Sequence, residues 1–176
     1  MPFEQGCRVV VEQVDARTWR LVEPVRYLGG QGDVFSVPAG YLTDFASVPR
    51  VVVALIPVFG RYTLPAILHD RLITDYLPAG AIASVDVDGL FRRAMRELDV
   101  ATVKRWLMWA GVRWGALFNR RRRAGWWRTA PAVLGVSVLA FVPVLLLVVA
   151  TALVLALYGA AELVATGGRR KGTLST

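Results

Sequence analysis

Residues 129–161 read TAPAVLGVSVLAFVPVLLLVVATALVLALYGAA, a run without one charged side chain in which Leu, Val and Ala dominate. About 20 apolar residues suffice to cross a bilayer as a helix. At 1.5 Å per residue this run would measure about 50 Å, against a hydrocarbon core of roughly 30 Å, so one tilted span fits with spare turns at its ends. Two antiparallel spans with a turn between them would need about 34 residues or more, which favours a single span, with Pro143 as the place for a kink or turn. The reading places a transmembrane helix at 131–160 and a polar tail at 161–176.

The formal net charge is +8, and the arginines crowd toward the start of this run. Arg120, Arg121, Arg122, Arg123 and Arg128 surround Trp126 and Trp127 in segment 119–130. Basic residues beside a span are retained on the cytoplasmic side, and tryptophans gather at the membrane interface. These seven residues are therefore expected to form a membrane-interface collar facing the lipid bilayer and its anionic phospholipid headgroups, with the N-terminal domain cytoplasmic. The Arg169, Arg170, Lys171 group beyond the span is the weaker competitor. Nucleic acid, the other common partner of an arginine run, is disfavoured by the tryptophans inside it. The opening MPFEQGCRVV has no charged and then apolar leader pattern. Cys7 is the single cysteine, which excludes an internal disulfide and a multi-cysteine metal site and fits a small buried hydrophobe.

The chain before the span is long enough for one domain with its own core. Its fold class reads as α+β. A small antiparallel sheet occupies 1–43, from segments Arg8 to Gln13, Thr18 to Tyr27 and Asp33 to Val37, separated by turn-forming residues. A helical core follows over 44–118: a short helix from Pro49 to Ile56 capped by Ser47, then helices from Leu64 to about Asp75, Val85 to Leu98 and Ala101 to Phe118. Val103, Leu107, Ala110, Trp114 and Leu117 recur at helical spacing in the last of these and read as its core face.

His69, the only histidine, has Ala66, Leu72 and Ile73 three or four positions away and so shares their helix face. Asp70 has Ile67, Ala66 and Ile73 at those spacings, whereas Arg71 aligns with Thr74 and Asp75 on the wet side. In the next helix Asp88 lies along a stripe with Phe91, Met95 and Leu98, while Asp86 aligns with Arg93 and Glu97. An inward Asp88 could accept a hydrogen bond from His69, fix its tautomer and make it a general base. Asp44, where the sheet hands over to the helices, is a third inward acid, and with Asp70 it could offer hard oxygens to calcium. The same residues also suit a purely structural reading, with Asp44 in an Asx-turn, Ser47 as a cap and His69–Asp88 tying two helices together.

The words VPAGYLTDFASVP, LHD, VDGLFRRAM and WAGVRWG, in that order over roughly residues 18 to 118, resemble domain of unknown function 1353, a family of phage, prophage and bacterial proteins. That resemblance assigns no reaction. A second similarity, to small bacterial phospholipases A2, follows Thr43-Asp44-Phe45, His69-Asp70, Asp88 to Phe91 and the aromatic helix Trp106 to Gly115, although Ile73 stands where those enzymes carry a tyrosine. It implies a phospholipase A2-like helical core in which His69 is the base, Asp88 its orienting acid, and Asp44, Asp70 and the Phe45 carbonyl calcium ligands. The function so implied is a membrane-anchored phage-type protein acting as a calcium-assisted ester hydrolase at the membrane surface. The alternative is a non-enzymatic membrane or assembly protein with a protein partner, in which the Asp/His cluster is structural.

Overall fold

In the computed structural model the described residues are 3–4, 7–16, 18–29, 32–44, 57 and 59–166. The expected helix from Pro49 to Ile56, its Ser47 cap and Phe45 lie outside them. The N-terminal part is antiparallel throughout, but it forms two sheets. Strands β1 (Val11–Gln13), β2 (Trp19–Leu21) and β5 (Leu42–Thr43) make one in the order β1-β2-β5, and β3 (Val25–Leu28) with β4 (Val34–Val37) makes the other. The single segment expected from Thr18 to Tyr27 is two strands. It breaks at Val22-Glu23-Pro24, where proline has no N–H to give a ladder, and β3 resumes in a new sheet with Val25 opposite Val37 and Tyr27 opposite Phe35.

The alternation along β3 buries Val25 and Tyr27 and exposes Arg26 and Leu28, so one face of this hairpin closes on the helices. Leu21, Val25, Tyr27 and Val37 pack there with Ile67, Leu68, Leu72, Val87, Leu90 and Ala94. The Tyr27 hydroxyl donates to Glu97 at 2.8 Å and accepts from Arg93 at 3.3 Å, pinning sheet to helix.

Among the described residues three helices form the second layer. Helix α1 (Thr63–Arg71) continues into a π turn, Leu72–Tyr76, whose wider i→i+5 bonding is seen in Leu77 N–H to the Leu72 carbonyl. Helix α2 (Ser84–Glu97) carries Asp86 in its first turn, where a carboxylate meets the positive end of the helix dipole. It ends in a Schellman motif: Val100 N–H returns to the Met95 carbonyl and Asp99 N–H to Arg96. Asp99 takes the left-handed conformation with φ 54°, a position aspartate tolerates better than most residues. This reversal lays helix α3 (Thr102–Phe118) back along α2, with Tyr62, Ala66, Phe91, Met95, Val100 and Met108 packed between the helices.

Helix α3 buries a different face from the one its periodicity suggested. Met108, Trp109, Ala110, Arg113 and Ala116 are buried, whereas Val103 is 72% exposed. Of the expected stripe Ala110 is buried, while Leu107, Trp114 and Leu117 are half-buried against α4 (Ala130–Ala165), packed with or lining grooves beside Val136. Helix α3 thus packs on two sides, one against α2 and one against α4. Helix α4 starts with Pro131 in its first turn, where no N–H is missed, and runs 36 residues, past Ala160 into the segment expected to be a polar tail. It is long and apolar enough to cross a membrane, and its most apolar stretch is not buried against the rest of the chain.

Candidate functional site

Asp88 sits in the middle of α2 among Val87, Leu90 and Phe91, and its side chain is fully buried. A lone carboxylate there would be prohibitively desolvated, and three neighbours answer it. His69 Nε2 lies 2.7 Å from Asp88 Oδ1, Arg122 Nη2 donates to the same oxygen at 2.6 Å, and Arg113 Nη1 donates to Oδ2 at 2.9 Å. The proton on the His69 ring therefore belongs on Nε2. Burial pushes the His69 pKa down, and this outweighs the upward pull of Asp88, with Arg122 adding to the fall. The ring is neutral at pH 7, and it tilts against Phe91 at 4.7 Å between centroids.

The arginines extend the cluster toward α4. Arg113 Nε donates to the Thr129 hydroxyl at 3.0 Å, that hydroxyl donates to the Trp126 carbonyl at 2.8 Å, and Trp126 Nε1 donates to the Arg113 carbonyl at 2.7 Å. These bonds close a ring between the middle of α3 and the residue before α4. Gly125, at φ 71°, makes the turn that points Trp126 inward, and a Cβ there would meet Val85 at 3.0 Å. Asp88 thus links α1, α2, α3 and the segment leading to α4 through one carboxylate. With His69 neutral, the charges gathered are one negative and two positive, and Arg113 Nη2 and Arg122 Nε are buried with no hydrogen-bond partner.

The other two acids lie elsewhere. Asp44 and Asp70 line an open groove of about 320 Å³ with Tyr41, Thr43, Ile73 and Thr74, which His69 and Asp88 do not line. The Thr43 hydroxyl donates to Asp70 Oδ2 at 3.1 Å, and the Tyr41 and Thr74 hydroxyls bond at 3.1 Å. Burial raises the Asp70 carboxyl to about 7, the Asp44 charge adds to the rise, and Thr43 and Arg122 oppose it. Asp44 itself is exposed, not inward as its sequence context suggested, because β5 ends at Thr43 and the chain emerges there. Among the described residues no three His, Cys, Asp or Glu side chains gather as a metal site.

The four groups divide two and two: His69 touches Asp88, and Asp44 neighbours Asp70. Of the seven collar residues, Arg120, Arg121, Arg123, Trp127 and Arg128 are exposed, but Arg122 and Trp126 are buried. Those two are corrected from membrane-facing to inward-facing, because each has a buried partner, Asp88 and the Arg113 carbonyl. Arg113 and Arg122 are the residues the sequence reading missed at the cluster. Arg113 carried a signal, since it lies four after Trp109, three after Ala110 and three before Ala116, on an apolar face. Arg122 carried none within a run of four arginines.

No curated protein and no solved structure matches the chain. The family described as a protein of unknown function, DUF1353, matches residues 19–112, which hold β2 to β5, α1, α2, Asp88, His69 and most of α3. Covering more than half of the chain, that match makes this protein a member of the DUF1353 family.

Proposed function

We propose that this chain is a membrane-anchored docking protein, in which α4 holds the domain at a bilayer and the Asp88 cluster is the joint between domain and anchor. The observation that supports it best is the way one buried carboxylate ties α1, α2 and α3 to Arg122, and through Arg113 to Thr129 at the start of α4. A structural ion cluster of this kind serves geometry. Asp88 divides its two oxygens between His69 and two guanidiniums, and His69 is 5% exposed, with little room for a substrate. The arginine excess beside α4 favours a cytoplasmic domain, presenting its sheets and the Asp44–Asp70 groove to a protein partner beside anionic headgroups. The full chain is expected to float with phospholipid vesicles and to stay with them in alkaline carbonate. Recovery in the aqueous fraction would remove the anchor.

A second reading, a calcium-assisted ester hydrolase, draws support from the 2.7 Å His69–Asp88 contact and the nearness of Asp44 to Asp70. It predicts calcium-dependent release of fatty acid from mixed phospholipid vesicles, abolished by His69→Ala. The docking reading predicts equal, background release from parent and variant with calcium or chelator.

A further inference from the structure

The pairing of α3 with α4 bears on where the bilayer can begin. Trp114 Nε1 donates to Ser137 Oγ at 3.0 Å, and Thr102 and Val103 share one apolar groove with Pro143 and Val144. The two helices therefore run antiparallel, and the first turn of α3 stands level with Pro143–Val144, about 21 Å along α4 from Ala130. A bilayer core beginning at residue 131 would carry that end of the domain deep into hydrocarbon. That end is the reversal from α2 to α3 over Leu98–Ala101, where Asp99 and Ala101 are exposed. Lipid-exposed irregular backbone does not occur in the hydrocarbon region.

The same end is basic. Arg92, Arg96, Lys104 and Arg105 cluster there: Arg92 stacks on Trp106 at 4.1 Å, Lys104 lies over Tyr62 at 5.7 Å, and Arg105 donates to the Val100 carbonyl. Among the described residues none of the four pairs with a carboxylate. Beside them are Trp106 and the exposed Val103.

We infer that this face, and not the Arg120–Arg128 collar, rests on the anionic headgroups of the membrane, and that α4 enters the hydrocarbon near Leu145. The inference deepens the anchored reading and rests on it. Three independent features agree. The uncharged stretch from Leu145 to Ala161 rises about 25 Å, within about one turn of the hydrocarbon thickness, and the helix continues to Ala165 with Glu162 at the far interface. A headgroup layer of about 5–8 Å above Leu145 takes in roughly Ala140 to Val144, so the exposed Phe141 and Val142 lie in the interface, with Leu139 at its outer edge. Pro143 has no N–H, so the Leu139 carbonyl loses its usual helical donor, and an interfacial depth supplies water in its place. Basic side chains with an aromatic at this depth suit the negative surface of the cytoplasmic leaflet. The collar then stands above the surface, at the far end of α3.

The test is a depth profile of the full chain in vesicles containing anionic lipid. Single cysteines are introduced in a Cys7→Ser background and labelled with nitroxide. For Leu134, Val138, Phe141, Leu145, Val149, Leu153 and Leu157 variants, collisions with oxygen are compared with collisions with a water-soluble nickel chelate. Greatest depth is expected near Leu155, with 134 and 138 open to nickel. Greatest depth near Leu145, with 138 shielded, would overturn the inference while leaving the anchor intact. If no position is shielded from nickel, the anchored reading fails and this one with it. A nickel-chelating lipid headgroup supplies the second readout: it should broaden a label at Val103 strongly and one at Arg121 weakly, and the reverse order overturns the inference.

Discussion

Asp88 and Asp70 are two aspartates on the inner faces of neighbouring helices, and their surroundings could hardly differ more. Asp88 is sealed from solvent and met by two arginines and a histidine. Asp70 borders a groove and accepts one hydroxyl; burial, with the neighbouring Asp44 charge adding to it, suppresses its charge, whereas that of Asp88 is matched by two guanidiniums. Burial disfavours the charge of either acid; two guanidiniums offset that cost at Asp88, whereas Asp70 accepts a neutral hydroxyl. Asp88 acts as a structural counterion, whereas Asp70 is a titrating group near neutrality.

The sharpest way to break this contrast is Asp88→Asn. The amide keeps the shape but leaves Arg113 and Arg122 buried without a counterion, and breaking a buried pair in this way costs about 3–5 kcal/mol. For a domain of this size the melting temperature should fall by more than about 10 °C, read by circular dichroism in detergent. An unchanged melt would show that the arginines are not held by this carboxylate. Arg113→Met should cost less, about 2–4 kcal/mol, because Arg122 still neutralises Asp88 while the bond to Thr129 is lost. Combined with Asp88→Ala, its effect should be smaller than the sum, since both variants empty one cluster. Additive losses would mean that the two residues act separately.

The cluster was half legible in the sequence. His69 and Asp88 declared themselves because each is a polar residue at helical spacing with apolar neighbours, and the contact follows once the two helices face each other. Their arginine partners come from the third helix and from a coil, and spacing within one helix says nothing about which coil residue folds back. Helix bounds were legible to within a residue or two where caps and turns are local: α2 begins at Ser84 against an expected Val85, and α3 at Thr102 against Ala101. The split of the strands into two sheets was not, although Pro24 marks the break. The register of sheets depends on non-local partners, and β5, with two residues, is too short for any pattern. The face of α3 was misassigned because both its sides are apolar, one for the domain and one for α4.

Acidity separates the two regions by sign. The folded state holds a proton on Asp70 up to about pH 7, whereas the unfolded chain releases it near 3.8. Stability from this group therefore falls as pH rises from about 4 to 7. His69 has the opposite slope: its pKa is lowered on folding, so below about 6.5 the unfolded chain takes up a proton that the folded state refuses, and stability falls as pH drops. Between about 4 and 6.5 the two partly cancel, and the parent should show a shallow profile. Asp70→Asn removes one slope. That variant should melt several degrees higher than the parent at pH 8 and lose stability more steeply on acidification. A parallel profile for parent and variant would place the Asp70 carboxyl in the ordinary range and dissolve the contrast with Asp88.

The smallest expected effect is also the most direct check on how one arginine run is divided. Arg120, Arg121, Arg122 and Arg123 are consecutive, yet only Arg122 is buried and bonded to Asp88. The other three are exposed and, among the described residues, in no ion pair. Exposed substitutions away from caps and networks usually change stability by no more than about 0.5 kcal/mol. Replacing Arg120, Arg121 and Arg123 together with alanine should thus leave the melting temperature within a few degrees of the parent, while Arg122→Met alone lowers it clearly. Were the triple variant to lose as much as the single one, the inward position would not be unique to Arg122. The run would then be acting through its summed charge, and the bond from residue 122 to Asp88 would no longer explain why the coil is fastened to the domain at that point.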